Sequence, residues 1–317
     1  MIFAKSWRRR AARDTPPATA VPTPAVPHEL ALREVSSIAE LDAVLKEVAA
    51  AHAVSADAVR TALNSFRYVV DIADLPADPF SAEYRNYQLD LYEGIAGRPY
   101  RIDNEQTSYL SGDPAALPFP YYTESWKIAS DHIVMLGLII KTLALPPKAS
   151  ILEFGPGWGN TVLAFAQMGY PVTAVDIEQR FLDIIGHRCR DLATPPRLLC
   201  RDFLQVAELG ERFDAILFYE SFHHSSDHRA LLASLPGLLN PGGKVLFAAE
   251  PIHDMPMPWG LRLDGMSVWS TRCFGWLELG FTESYFREAL RRAGFGVEKL
   301  HYPITDLGTI FVARPQS

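Results

Sequence analysis

Cysteines, long apolar runs and, beyond the first residues, surplus positive charge are all scarce in this chain of 317 residues. The three cysteines, Cys189, Cys200 and Cys273, are odd in number and scattered, which argues against a disulfide framework or a thiolate zinc site and for a reducing, cytoplasmic setting. The longest uninterrupted apolar run, Ile133 to Ile140, is bounded by His132 and Lys141. A membrane crossing needs about 20 such residues, so no span is expected. The leading stretch is basic but lacks the apolar block of a signal peptide.

Lys5, Arg8, Arg9, Arg10 and Arg13 stand together with no acid among residues 1–13, and the remainder holds 25 basic against 37 acidic residues. A body that acidic repels phosphate backbones, which argues against nucleic acid as the partner. Pro16, Pro17, Pro22, Pro24 and Pro27 then interrupt any helix or sheet ladder, so residues 1–27 are expected to form a disordered tail and linker.

Hydrophobic periodicity starts near Leu30. Ile38, Leu41, Leu45 and Val48 recur at helical spacing, with Ser37 and Glu40 as a capping box. A second helix is expected over Ser55–Tyr68, with Val59, Leu63 and Phe66 on one face. Prolines cut residues 75–122 into short, Tyr-rich pieces, and a third helix is expected from Glu124 to Leu143. After Lys148 strands and helices alternate. Strands are expected at Ser150–Phe154, Val172–Asp176, Arg197–Arg201, Phe213–Tyr219, Lys244–Ala249, Gly296–His301 and Thr309–Ala313, the last two as an antiparallel edge pair. Helices are expected at Asn160–Met168, Glu178–Arg188, His228–Leu235 and Glu283–Arg292. Alternation of this kind implies an α/β fold with a doubly wound parallel sheet.

The most informative stretch is Ile151 to Asn160, an apolar strand that ends in Glu153-Phe154 and passes through Gly155, Gly157 and Gly159 into a helix. Glycines let backbone N–H groups approach a ligand without a Cβ in the way, and the helix N-terminus suits an anionic group. Nicotinamide and flavin sites prefer a wider last glycine spacing, and no Tyr-x-x-x-Lys pair of a reductase occurs. The neighbouring strand ends at Asp176, where a carboxylate can accept both hydroxyls of a ribose, and Asp202-Phe203 at the next strand end suits an adenine amino group and ring.

With Glu153–Gly159, Asp176, Asp202–Phe203, the strand Phe213–Phe218 and the turn Leu239–Gly243 in this order, residues 124–317 resemble a class I S-adenosylmethionine-dependent methyltransferase. The resemblance implies a seven-stranded Rossmann-like sheet, and residues 28–123 are expected to form an N-terminal helical cap or oligomerisation region. It implies S-adenosyl-L-methionine as cofactor. Glu153 and the Gly155-Pro156-Gly157 to Gly159 backbone would hold the methionine part, Asp176 with Ile177 the ribose, and Asp202 with Phe203 the adenine. Tyr219 and Glu220 would lie near the sulfonium.

Methyl transfer needs an aligned acceptor and, for a hydroxyl, a base. His223 and His224, after the Phe213–Tyr219 strand, are the first candidates, and His253, after the Lys244–Ala249 strand, the second. His224, His228 and Glu220 could be imagined around a metal, but no acid triad of the metal-assisted O-methyltransferases stands out, and no metal is expected. The long connection Pro251–Phe281 holds Trp259, Trp269 and Trp276 beside His253, Asp254, Arg262 and Asp264, a combination suited to a sugar. The resemblance also implies that the lead-in Phe119–Trp126 covers the cofactor, with Tyr121, Tyr122 or Ser125 able to touch it. The combination of EFGPGWGN, FYESFHH, AEP and PWGLRLDG resembles methyltransferases that accompany bacterial glycosyltransferases. The acceptor expected is a small molecule, a saccharide hydroxyl first. An N- or C-methyltransferase on another metabolite, or a non-catalytic protein retaining the cofactor fold, are the alternatives; a homo-oligomer or a glycosyltransferase are the possible partners.

Overall fold

A serine side chain caps each of the first four helices in the computed structural model, which describes residues 32–106 and 115–316; the expected tail lies outside them. Strand β1 (Arg33–Val35) occupies the start of the region expected to be helical. Ser37 caps α1 (Ile38–Ala51) by accepting from Glu40 N at 3.3 Å, but the Glu40 carboxylate returns one residue further back, to Ser36 N at 2.9 Å. Helix α2 (Ala56–Leu63) is shorter than expected, and Phe66 belongs instead to β2 (Phe66–Tyr68), parallel to β1.

The main departure is α3 (Ala82–Ala96), a 15-residue helix inside the segment expected to be broken into short pieces. No proline interrupts Ser81–Gly97; Ser81 caps the start, and Gly97, at φ 71°, takes the left-handed turn that ends it. Its buried face is Tyr84, Gln88, Tyr92 and Ile95, a helical stripe written in half-polar residues. Helix α4 (Trp126–Leu143) follows.

The sheet is the doubly wound seven-stranded one expected. Its strands are β3 (Ile151–Phe154), β4 (Val172–Asp176), β5 (Arg197–Cys200), β6 (Phe213–Tyr219), β7 (Leu239–Ala248) and, after a two-stranded excursion β8 (Trp259–Leu261) and β9 (Leu279–Phe281), β10 (Phe295–His301) and β11 (Thr309–Pro315). Their order is β5-β4-β3-β6-β7-β11-β10, with β11 antiparallel to both neighbours and the other neighbouring pairs parallel. Helices α5 (Asn160–Gln167), α6 (Gln179–Cys189), α7 (His228–Ser234), α8 (Gly265–Cys273) and α9 (Glu283–Arg292) complete the chain. One core lies between the sheet and α4–α6 around Ile139, Phe165 and Ile185. The other lies under α7 and α9 and is crossed by Phe154, Phe218 and Phe247, stacked in register across β3, β6 and β7 with centroids 4.8 and 5.2 Å apart.

That second core continues into residues 32–106, which knit to the Pro251–Phe281 excursion. Tyr84 Oη donates to Trp259 O at 2.8 Å, and Trp259 Nε1 donates to Pro79 O at 2.7 Å. Arg272 grips both Asp42 carboxylate oxygens at 2.9 and 3.0 Å. Trp259 is therefore core and no sugar platform, and the connection expected to be a long loop carries β8, α8 and β9. No helix among the described residues is long and apolar enough to cross a membrane.

Candidate active site

Strand order reverses at β3, which pairs with β4 on one side and β6 on the other, so a crevice opens beyond their carboxyl ends. The chain leaves β3 through Gly155, Gly157 and Gly159 with φ of 60°, 50° and 71°. A Cβ on Gly159 would stand 2.3 Å from Ile185 Cγ1, and one on Gly155 would stand 2.6 Å from Ser221 Cβ. At Gly157 a Cβ would meet nothing within 4 Å. Two glycines are thus demanded by packing, and the middle one faces open space.

Asp176 closes the loop from β4. Its Oδ2 accepts from Gly157 N at 3.2 Å and its Oδ1 from Glu178 N at 2.9 Å. Burial pushes its pKa up to about 6, against the pull of those two backbone N–H groups. Asp202 lies on the wall beyond β5, where it also caps the following turn by accepting from Leu204 N at 2.7 Å. Phe203 sets its ring edge against Phe154 at 5.1 Å. Ile177 and Phe181 complete this apolar side.

The opposite wall comes from the segment after β6. Glu220 takes a left-handed φ of 50° and turns a carboxyl that is 40% exposed into the cleft. Enclosure by protein pushes its pKa up to about 7, reinforced by the charges of Glu250 and Glu278. His224 lines the same wall, its Nδ1 3.3 Å from Glu105 Oε2. Burial opposes charge on His224, but Glu105, Glu278 and Glu250 outweigh it and push its pKa up to about 9. Ile102, Glu105 and Trp276, from the N-terminal segment and the excursion, form the rim.

Of the expected cofactor residues, Gly155, Gly157, Asp176, Ile177, Asp202, Phe203 and Glu220 line this cleft. Glu153, Pro156, Gly159 and Tyr219 are absent from its walls. Glu153 is buried beneath the loop, where Thr161 Oγ1 donates to Oε1 and Oε2 has no hydrogen-bond partner. Burial pushes its pKa up to about 8. Tyr219 turns toward α4, its hydroxyl 2.5 Å from His132 Nδ1.

The three candidate bases separate. Only His224 reaches the cleft wall. His223 is buried between Glu250 (2.8 Å from Nδ1) and Glu278 (3.6 Å from Nε2). His253 stands in another groove, between residues 66–72 and 253–265, because His253 N donates to Phe281 O at 3.0 Å and ties the chain to β9. His228 is no partner of His224: its Nε2 lies 2.7 Å from Tyr285 Oη, and burial pushes its pKa down to about 3. In the lead-in, Tyr122 packs on Trp158 of the glycine loop at 5.7 Å, while Ser125 caps α4. Glu105 and Ile102 belong to no motif, and only the fold brings them to the cleft.

The comparisons with known proteins bear on this geometry. Residues 151–243 match the family model described as a methyltransferase domain. The matched stretch holds the glycine loop and the acid at the tip of β4. The ubiquinone biosynthesis O-methyltransferase of Coxiella burnetii is 28% identical over 150 residues, 46% of this chain and 62% of that protein. The demethylmenaquinone methyltransferase of Tropheryma whipplei is 28% identical over 106 residues, 33% of this chain and 44% of that one. The chain therefore spans less than two thirds of the length of these curated relatives. Among solved structures, Burkholderia thailandensis 1,6-didemethyltoxoflavin-N1-methyltransferase, with bound 1,6-didemethyltoxoflavin and S-adenosylhomocysteine, is 22% identical with a TM-score of 0.44, over 69% of this chain and 99% of that one.

Proposed function

We propose that this chain is an enzyme that binds S-adenosyl-L-methionine in the cleft and transfers its methyl group to an oxygen of a small molecule, a saccharide or similarly hydroxylated compound. The carrying observation is that Asp176, tethered to Gly157, faces a loop whose middle glycine leaves space where a side chain would otherwise stand. The cofactor, when bound, supplies an electrophilic methyl on a sulfonium. The Asp176 carboxylate would accept the ribose hydroxyls, Asp202 the adenine amino group, and Phe203 would lie against the adenine. Glu153, Pro156, Gly159 and Tyr219 would support the pocket from behind. Glu220 and His224 stand where an acceptor would approach, with the flat Trp276 beside Glu105 and Asp227 as a surface for a polyhydroxylated ring.

Replacing Asp176 with Ala is expected to weaken S-adenosylhomocysteine binding by roughly 10- to 150-fold, the loss of a charge-assisted contact of about 1.5–3 kcal/mol. Calorimetry reads it directly, and unchanged affinity would put the ribose elsewhere. Because the ionised carboxylate is the better acceptor, wild-type affinity should hold above the Asp176 pKa of about 6 and fall as the pH drops through it. Mass spectrometry of candidate sugars incubated with enzyme and cofactor should find one added methylene mass. Transfer to amines or carbon acids alone would shift the assignment to N- or C-methylation.

A further inference from the structure

Behind the cleft wall, Glu250 is locked in place. It accepts from Ser221 N and Phe222 N at 2.9 Å each and from His223 N at 3.2 Å. The His223 ring sets Nδ1 2.8 Å from the same carboxylate, so Nδ1 donates to it and Nε2 points the other way across the ring. Nε2 faces Glu278 Oε2 at 3.6 Å. A second imidazole adjoins them, since the His224 ring is centred 4.3 Å from that of His223.

We propose that His223, His224 and Glu278 form a binding site for one divalent transition-metal ion. One ligand atom from each lies within 4.8 Å of the others. Around an ion with bonds of about 2.0–2.2 Å, such atoms stand roughly 3–4 Å apart, so side-chain shifts of about an ångström close the site. Two imidazoles with a carboxylate suit zinc, cobalt, iron or manganese. The carboxylate on Nδ1 is what a metal-bound histidine requires behind it: Glu250 fixes the tautomer and aims Nε2. Arg262 flanks the cluster, its Nη1 3.6 Å from Glu278 while its Nε is held by Asp264 at 3.1 Å.

The three ligands come from two distant segments, the turn after β6 and the stretch before β9, which explains why spacing along the chain gives no metal signature. His224 lines the cleft, so open coordination positions would face the acceptor and could hold one of its oxygens. That use rests on the methyl-transfer reading; metal binding does not.

The test is titration of chelator-treated protein with Co²⁺, followed by visible absorption and calorimetry. One Co²⁺ per chain is expected, displaceable by Zn²⁺, with binding weakened at least tenfold in His224→Ala and in Glu278→Gln. His301→Ala, on the edge strand β10, should bind as the wild type does. Circular dichroism checks that each variant folds. Should Glu278→Gln fail that check, His224→Ala, at the cleft wall, decides the matter. Absence of bound Co²⁺ in the wild type, or undiminished binding in folded His224→Ala, overturns the site. S-adenosylhomocysteine binding without Co²⁺ binding would sink the metal and spare methyl transfer; the reverse would do the opposite.

Discussion

Gly159→Ala is expected to cost about 2–4 kcal/mol of folding stability, whereas Gly157→Ala, two residues earlier, should cost about 1 kcal/mol. Both positions have positive φ, at 71° and 50°, so the strain of placing an L side chain there is shared. The difference is what the new methyl meets. At Gly159 it would stand 2.3 Å from Cγ1 and 2.9 Å from Cδ1 of Ile185, a fully buried side chain of α6 with no room to retreat. At Gly157 it points into the cleft, where no protein atom lies within 4 Å. Ligand binding should follow the reverse order. Gly157→Ala should lose at least tenfold in S-adenosylhomocysteine affinity while staying folded. For a chain of this size the Gly159 effect corresponds to a fall in Tm of about 3–6 °C. Equal Tm losses in the two variants, or unaltered affinity in Gly157→Ala, would refute this division of labour.

The second large effect concerns Glu153 and runs with pH. This carboxyl is 1% exposed, and burial, only partly offset by the Thr161 hydroxyl, pushes its pKa from 4.5 up to about 8. A folded-state pKa above the unfolded value means that stability is full below about pH 4.5 and is lost as the pH rises through 8. At 1.36 kcal/mol per pKa unit, the loss is on the order of 5 kcal/mol by pH 9. Glu153→Gln keeps an acceptor for Thr161 and cannot ionise. Its stability should match the wild type within about 1–2 kcal/mol near pH 5, the cost of a changed hydrogen bond, and exceed it by several kcal/mol at pH 9. Urea unfolding of both proteins at pH 5, 7 and 9 measures the divergence. Curves that stay parallel across that range would show that Glu153 is ionised in the folded protein.

Where sequence and structure agree, a local cause is visible. The central strands β4 and β6 are mainly apolar runs largely buried on both faces, and they fall on the residues expected. The glycine loop was legible because three positive-φ turns admit few other residues. Helix α3 was hidden because its inward face is Tyr84, Gln88 and Tyr92, residues that score as polar until Trp259 and Gly275 supply their hydrogen-bond partners. Glu105 and Glu278 could not be read at all. They gain meaning only beside His224 and His223, and that adjacency is made by tertiary packing.

The stitching of α3 to the excursion also sets a timetable for synthesis. The Tyr92 hydroxyl waits for Gly275, 183 positions later, and Arg272 for Asp42 spans 230. At about 5–20 residues per second, ribosomes leave these early helices without their apolar covering for roughly 10–45 seconds. The first third of the polypeptide must emerge, stay unassembled and remain soluble until the last strands follow. Nascent chains stalled before residue 250 are accordingly the species on which chaperones should act.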